Sequence, residues 1–220
     1  MSFRWKRKEV IRCFIAVFGM GFFLSFLILC DLGTDPCTFM NRSIAAKIGW
    51  SFGNWQLCIN ICMILLVLLL KRSLIGFGTL FNMVLIGYYA DFFCWLFRKF
   101  IPAKVFTEPM WRWPVFLVTL AGFILSAAVY ITADMGVSPY DGLPIILTEN
   151  VRKHRPEIPP MVLRIAWDAA AILVGILAGG KPIIGIILMA LFLGPAITLV
   201  RKLGEKHSAK KTANAEPKNS

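Results

Sequence analysis

Six stretches of the chain are almost wholly apolar, at residues 10–29, 55–70, 74–97, 114–133, 161–178 and 183–200. A bilayer core about 30 Å thick takes roughly 20 apolar residues as a helix. The pattern therefore predicts an all-α polytopic membrane protein with six transmembrane helices and no room for a sizeable soluble domain. Most polar residues lie in short clusters between the stretches. Two of these clusters have the same form: DLGTDP at residues 31–36 and DMGVSP at residues 134–139, each at the end of an apolar run. Gly and Pro both end helices. After each cluster comes a segment that can form a short helix, about 38–48 and 141–152, with Pro36 and Pro139 near its start, where a missing N–H costs nothing. Asp141 falls in the first turn of the second, facing the positive end of the helix dipole.

Other landmarks recur at nearly the same offset. GFFLS at residues 21–25 returns as GFILS at 122–126. Pro36 and Pro139 are 103 residues apart, Asn60 and Asp168 108, and Gly78 and Gly185, like Gly87 and Gly194, 107. This regularity predicts a duplication: a basic N-terminus (1–9), a first membrane repeat (10–97), an outer linker (98–113), a second repeat (114–203) and a disordered basic tail (204–220). Each repeat holds three spans. An odd number makes the second repeat cross in the opposite sense to the first, an inverted-topology arrangement with helix breaks after the first and fourth spans. Exposed backbone facing lipid costs several kcal/mol per unsatisfied group, so such breaks either line a wet cavity between the repeats or end their helices at the headgroup level. Both readings stay open on spacing alone.

Composition agrees with the membrane assignment: 58% of residues are hydrophobic and the mean hydropathy is +0.70. The net charge of +12 does not point to nucleic acid, because the basic residues sit in loops and tails. With the N-terminus inside, 16 of the 24 Lys and Arg residues fall inside and 7 outside, Arg164 within a span making up the total. This bias predicts cytoplasmic N- and C-termini. The first span follows a basic flank, RWKRKEVIR, but has no A-x-A cleavage site after it and is expected to be retained. Trp50, Trp55, Trp95, Trp111 and Trp113 bracket the outer loops as interfacial anchors.

Ionisable groups inside spans cost at least ~2.5 kcal/mol at the bilayer centre and usually face a bundle interior. The candidates for substrate binding are Asp31, Gly33, Asp35, Asn60, Asp134, Gly136, Ser138, Asp141, Arg164 and Asp168. Arg164 and Asp168 stand at i, i+4 and form either a self-neutralised structural pair or, with Asn60 at the matching place in the other repeat, part of a central site. Asp91 lies about two turns before Arg98 and Lys99 and is expected to pair with one of them. Asn82 is expected to bridge neighbouring helices. GILAG at residues 175–179 fits close helix packing within the molecule. The six cysteines lack C-x-x-C spacing, and the two histidines, His154 and His207, lie outside the spans. No disulfide, metal site, cofactor or catalytic residue is expected, and there is no Walker or G-x-G-x-x-G motif.

LGTDP, the FGT turn before the third span, MGVSPYDGL after the fourth and WD in the fifth, together with the basic N-terminus, resemble the bacterial YczE/YyaS/YitT-type integral membrane proteins over residues 12–200. The resemblance implies a multi-pass protein of the bacterial cytoplasmic membrane and no settled activity. The second repeat has Asp141 after its proline where the first has Thr38, so the halves are not equivalent. Two functions are expected from these features. One is a small secondary-transporter-like protein moving or binding a small solute, cationic or polyhydroxylated, or coupled to protons. The other is a non-transporting accessory or substrate-capturing subunit that acts with a partner membrane protein. The bilayer is the expected surrounding; a homodimer fits either function.

Overall fold

The computed structural model describes residues 7–183 and, beyond them, Ile186, Pro195, Thr198, Leu199 and Lys202. The expected sixth span, residues 183–200, and the basic tail lie almost wholly outside the described residues. Within them the chain is helical, with no strand: α1 (Arg7–Cys30), α2 (Pro36–Ile48), α3 (Phe52–Leu70), α4 (Phe77–Phe100), α5 (Lys104–Thr107), α6 (Pro109–Thr132), α7 (Pro139–His154) and α8 (Pro160–Leu177). Five of these, α1, α3, α4, α6 and α8, are long and apolar enough to cross a membrane.

Helix ends depart from the hydropathy pattern where local chemistry overrides it. α3 begins at Phe52 because the Ser51 side chain caps it, accepting the Asn54 N–H at 3.2 Å. Leu74, apolar enough to be read into a span, lies instead in a 3₁₀ turn, and α4 starts at Phe77 after Gly76, whose N–H donates to Thr79 Oγ1 at 3.1 Å. α6 begins at Pro109 and carries Pro114 within it. The outer linker is correspondingly short: α4 runs on to Phe100, and α5 fills most of what remains before α6.

α1 is the central element, packed against both α4 and α6. Its buried face includes Cys13, Val17, Leu24 and Leu27. Phe22 meets Phe93 and Phe97 of α4 edge-on at ring distances of 5.1 and 5.5 Å. Since lipid is as apolar as these side chains, their close packing rather than exclusion from water holds the seam. Small residues bring the helices together. An added Cβ at Gly122 of α6 would lie 2.5 Å from the Phe23 ring, and one at Gly21 2.5 Å from Tyr89 Cβ. At the crossing of α3 on α4 backbone meets backbone: a Cβ at Gly87 would stand 2.8 Å from the Gly53 Cα.

The short helices are exchanged: α2 packs on α8, and α7 packs on α3. Gly175 of α8 lies against Phe39, where a Cβ would be 2.6 Å from the ring, so this half of GILAG serves a contact within the molecule. Gly179 is past the helix end at φ 98° with open space around it. The small-xxx-small spacing is thus split between a packing glycine and a turn glycine.

Candidate functional site

The two breaks share backbone geometry. Asp31 and Asp134 end α1 and α6 in the left-handed region, both at φ 49°, and the glycine two residues on is also at positive φ, 138° at Gly33 and 99° at Gly136. A residue other than glycine in this region is uncommon, and Asp tolerates it better than most. Each short helix then begins with a side-chain cap and a proline. Asp35 caps α2, Oδ1 accepting the Thr38 N–H at 3.0 Å and Oδ2 the Thr38 hydroxyl at 2.6 Å. Ser138 caps α7, its Oγ accepting the Asp141 N–H at 3.1 Å and donating to Asp141 Oδ2 at 2.6 Å.

From the second cap a charged network runs to α8. Arg164 donates through Nη1 to Asp141 Oδ1 at 2.7 Å and through Nε to Asp168 Oδ2 at 3.1 Å. Tyr140 donates its hydroxyl to Asp168 Oδ1 at 2.8 Å, and its ring lies 5.7 Å from the Arg164 guanidinium carbon. Asp35 and Cys37 on α2 lie near enough to feel the charges of Asp141 and Asp168. Burial pushes the Asp35 carboxyl above the usual carboxylate range, against the pull of its bonds from Thr38. Two carboxylates, Asp141 of α7 and Asp168 of α8, therefore share one guanidinium, while Asp35 is bonded to Thr38. Asp168 is buried, with 6% of its side chain accessible, whereas Arg164 and Asp141 keep 43% and 41%. The network is closed on one side and open on the other.

The expected i, i+4 pair is thus present, but as part of a larger arrangement that binds two helices. The other candidates are placed as follows. Asn60 is buried on α3 and donates to the Met83 carbonyl of α4 at 3.3 Å, a helix bridge and not a bond to Asp168. Asp31 and Asp134 are exposed. The Asp31 carbonyl accepts from Arg112 Nη2 at 2.8 Å, and its carboxylate lies 4.0 Å from Arg42. Gly33 and Gly136 serve the backbone turn.

Asp91 differs from expectation: it makes no ion pair with Arg98 or Lys99 among the described residues, and its Oδ2 accepts the Gly53 N–H at 2.7 Å. The free N–H groups of the first turn of α3 compete for a carboxylate at this close crossing. Sequence reading also missed Tyr140 as a partner of Asp168 and Arg112 as a cap on α1, donating through Nε to the Cys30 carbonyl at 2.6 Å. The signal for Tyr140 was present in the YD pair beside the proline; nothing local marks Arg112, which is 82 residues from its partner.

A model of a family of unknown function, DUF6198, matches residues 7–202. The chain belongs to this family. The family's span takes in both breaks and the whole Arg164 network. Among curated proteins the chain is 24% identical over 197 residues to an uncharacterized protein of Haemophilus influenzae, covering 88% of this chain and 83% of that one. It is 30% identical over 141 residues to the uncharacterized membrane protein YczE of Bacillus subtilis, 62% of each chain. The YczE-type resemblance is real, and with five apolar helices of spanning length it makes this an integral membrane protein. No solved structure matches the chain significantly.

Proposed function

We propose that this protein is a small secondary-transporter-like protein of the bacterial cytoplasmic membrane, with both termini inside, in which two inverted repeats hold a small solute between them. The observation that carries the reading is the one-sided network of Arg164 with Asp141 and Asp168, beside Asp35, at the point where the short helices meet. The exchange of α2 onto α8 and α7 onto α3 supports the inverted duplication, since each short helix packs on the second span of the opposite repeat. The matched break angles support it as well. Two carboxylates against one guanidinium leave the site short of positive charge, so a cationic or polyhydroxylated solute, or a proton, fits it better than an anion.

The test is thermal unfolding of the detergent-purified protein with choline, putrescine, guanidinium or inositol, over a range of pH, for the parent and for Asp141→Asn and Asp168→Asn. A ligand that binds only the folded protein adds ~2.7 kcal/mol at a hundred times its dissociation constant. The expected outcome is a solute-specific rise in the parent that both variants lose. A folded parent that ignores every solute and pH would count against a binding site in the lone chain and favour a capture subunit that works with a partner.

A further inference from the structure

A second polar pocket shares no lining residue with the Arg164 network. It is a cavity of about 390 Å³ beside the end of α4 and the start of α3. Arg42 of α2 and Arg98 of α4 both line it, with Ser51 and Phe52 at the start of α3 and Asp91 and Trp95 of α4. Ile28 and Arg98 stand in the last turns of the spanning helices α1 and α4, and Phe52 opens α3. Three spanning helices thus end around this cavity, which puts it at the headgroup level of a bilayer. Trp95 is 58% exposed and Lys99 lies 5.6 Å over its ring, the aromatic and basic company typical of that depth.

The two arginines are poorly matched by counter-charge. Arg98 makes no hydrogen bond or ion pair among the described residues. Arg42 has Asp31 as its ion-pair partner, but at 4.0 Å and with the Asp31 side chain 66% accessible. Burial pulls the Arg42 guanidinium below its usual range, Asp31 opposes this, and the like charge of Arg98 adds to it. The carboxylate in the lining, Asp91, is already held by the Gly53 N–H at 2.7 Å. Ser51 Oγ accepts the Asn54 N–H at 3.2 Å, which leaves its own proton to donate. The positive end of the α3 dipole adds to the excess. Guanidinium groups present paired donors that match phosphate oxygens, so a phosphate would supply what both arginines lack.

We propose that this cavity binds a phosphate group through Arg42, Arg98 and the Ser51 hydroxyl, and that the phosphate is the headgroup phosphate of an anionic phospholipid. On the proposed topology the lipid belongs to the outer leaflet. The site itself depends neither on that orientation nor on the transport reading. A free phosphate carries the same group, and the experiment separates the two sources.

The test is thermal unfolding of the full chain in dodecyl maltoside, titrated in separate arms with dioleoylphosphatidylglycerol, with dioleoylphosphatidylcholine and, at matched ionic strength, with inorganic phosphate. Phosphatidylglycerol is expected to stabilise the parent in a saturable way. Its apparent Kd is expected to rise about tenfold or more in Arg98→Gln and in Arg42→Gln, each of which removes a charged donor to the phosphate. Arg98 is exposed, so its variant keeps the test decisive where loss of the part-buried Arg42 disturbs folding. Lys104→Gln, an exposed basic residue outside the lining, is expected to bind as the parent does. Stabilisation by inorganic phosphate that the arginine variants lose would support the site and give it to free phosphate in place of the headgroup. Arginine variants that bind phosphatidylglycerol like the parent, an equal loss in Lys104→Gln, or equal stabilisation by phosphatidylcholine would overturn the proposal.

Discussion

Arg164 divides its guanidinium between a carboxylate one turn along its own helix and another on α7. Removing one partner of a buried charge group typically costs 3–5 kcal/mol, and exposed pairs are worth under about 1. With Asp168 buried and Arg164 half-exposed, Arg164→Gln is expected to cost about 2–3 kcal/mol in thermal unfolding. Adding Asp141→Asn should restore part of the loss by removing one stranded charge. A single variant that melts like the parent would show that the network does not hold α7 to α8. Part of this arrangement was legible beforehand: Arg164 and Asp168 stand out because charge inside an apolar run is costly and seldom idle, and Asp141 was marked by its place in the first turn of a short helix, not by its bond to Arg164. Asn60 was legible as a polar oddity but not in its role, since the repeat offset names its counterpart and not its hydrogen-bond partner. Asp91 was misjudged because its nearest charges in sequence were weighed, whereas the N–H it binds lies 38 residues away.

Among the elements, the α3–α4 crossing depends on two facing glycines. Gly87→Ala is expected to cost about 1–3 kcal/mol, because the new methyl meets backbone that cannot rotate aside. Gly49→Ala is the useful contrast. Gly49 ends α2 at φ 72° with nothing within 4 Å, so its loss is purely conformational, about 1 kcal/mol. If the two variants lose equal stability, close approach is not what Gly87 provides. The five spanning helices among the described residues followed from the apolar runs, whereas helix ends did not. Ser51, Asp35 and Ser138 each cap a helix with a side-chain oxygen, and a cap moves a boundary that hydropathy places elsewhere. The 3₁₀ turn at Leu74 could not have been read from its apolar character, because its conformation is imposed by Val137 from another part of the chain.

For the whole molecule, topology is the property that charge bias addresses. Alkaline phosphatase fused after Pro102 is expected to be active, and fused after Ser73 or Pro156 inactive. The reverse pattern would invert the protein in the membrane. The proposed duplication rests on the spacing of glycines and prolines, whereas the packing of α2 on α8 could not be read there, since it depends on which face of α2 finds Gly175. That exchange bears on how the chain is made. α2 is finished 112 residues before Pro160 begins the helix it packs on. At 5–20 residues per second, synthesis of that interval takes on the order of ten seconds. Throughout, the newborn α2 with its Asp35 cap must wait beside the translocon without its lasting neighbour, so insertion of the first half is an unfinished step that only the second half completes.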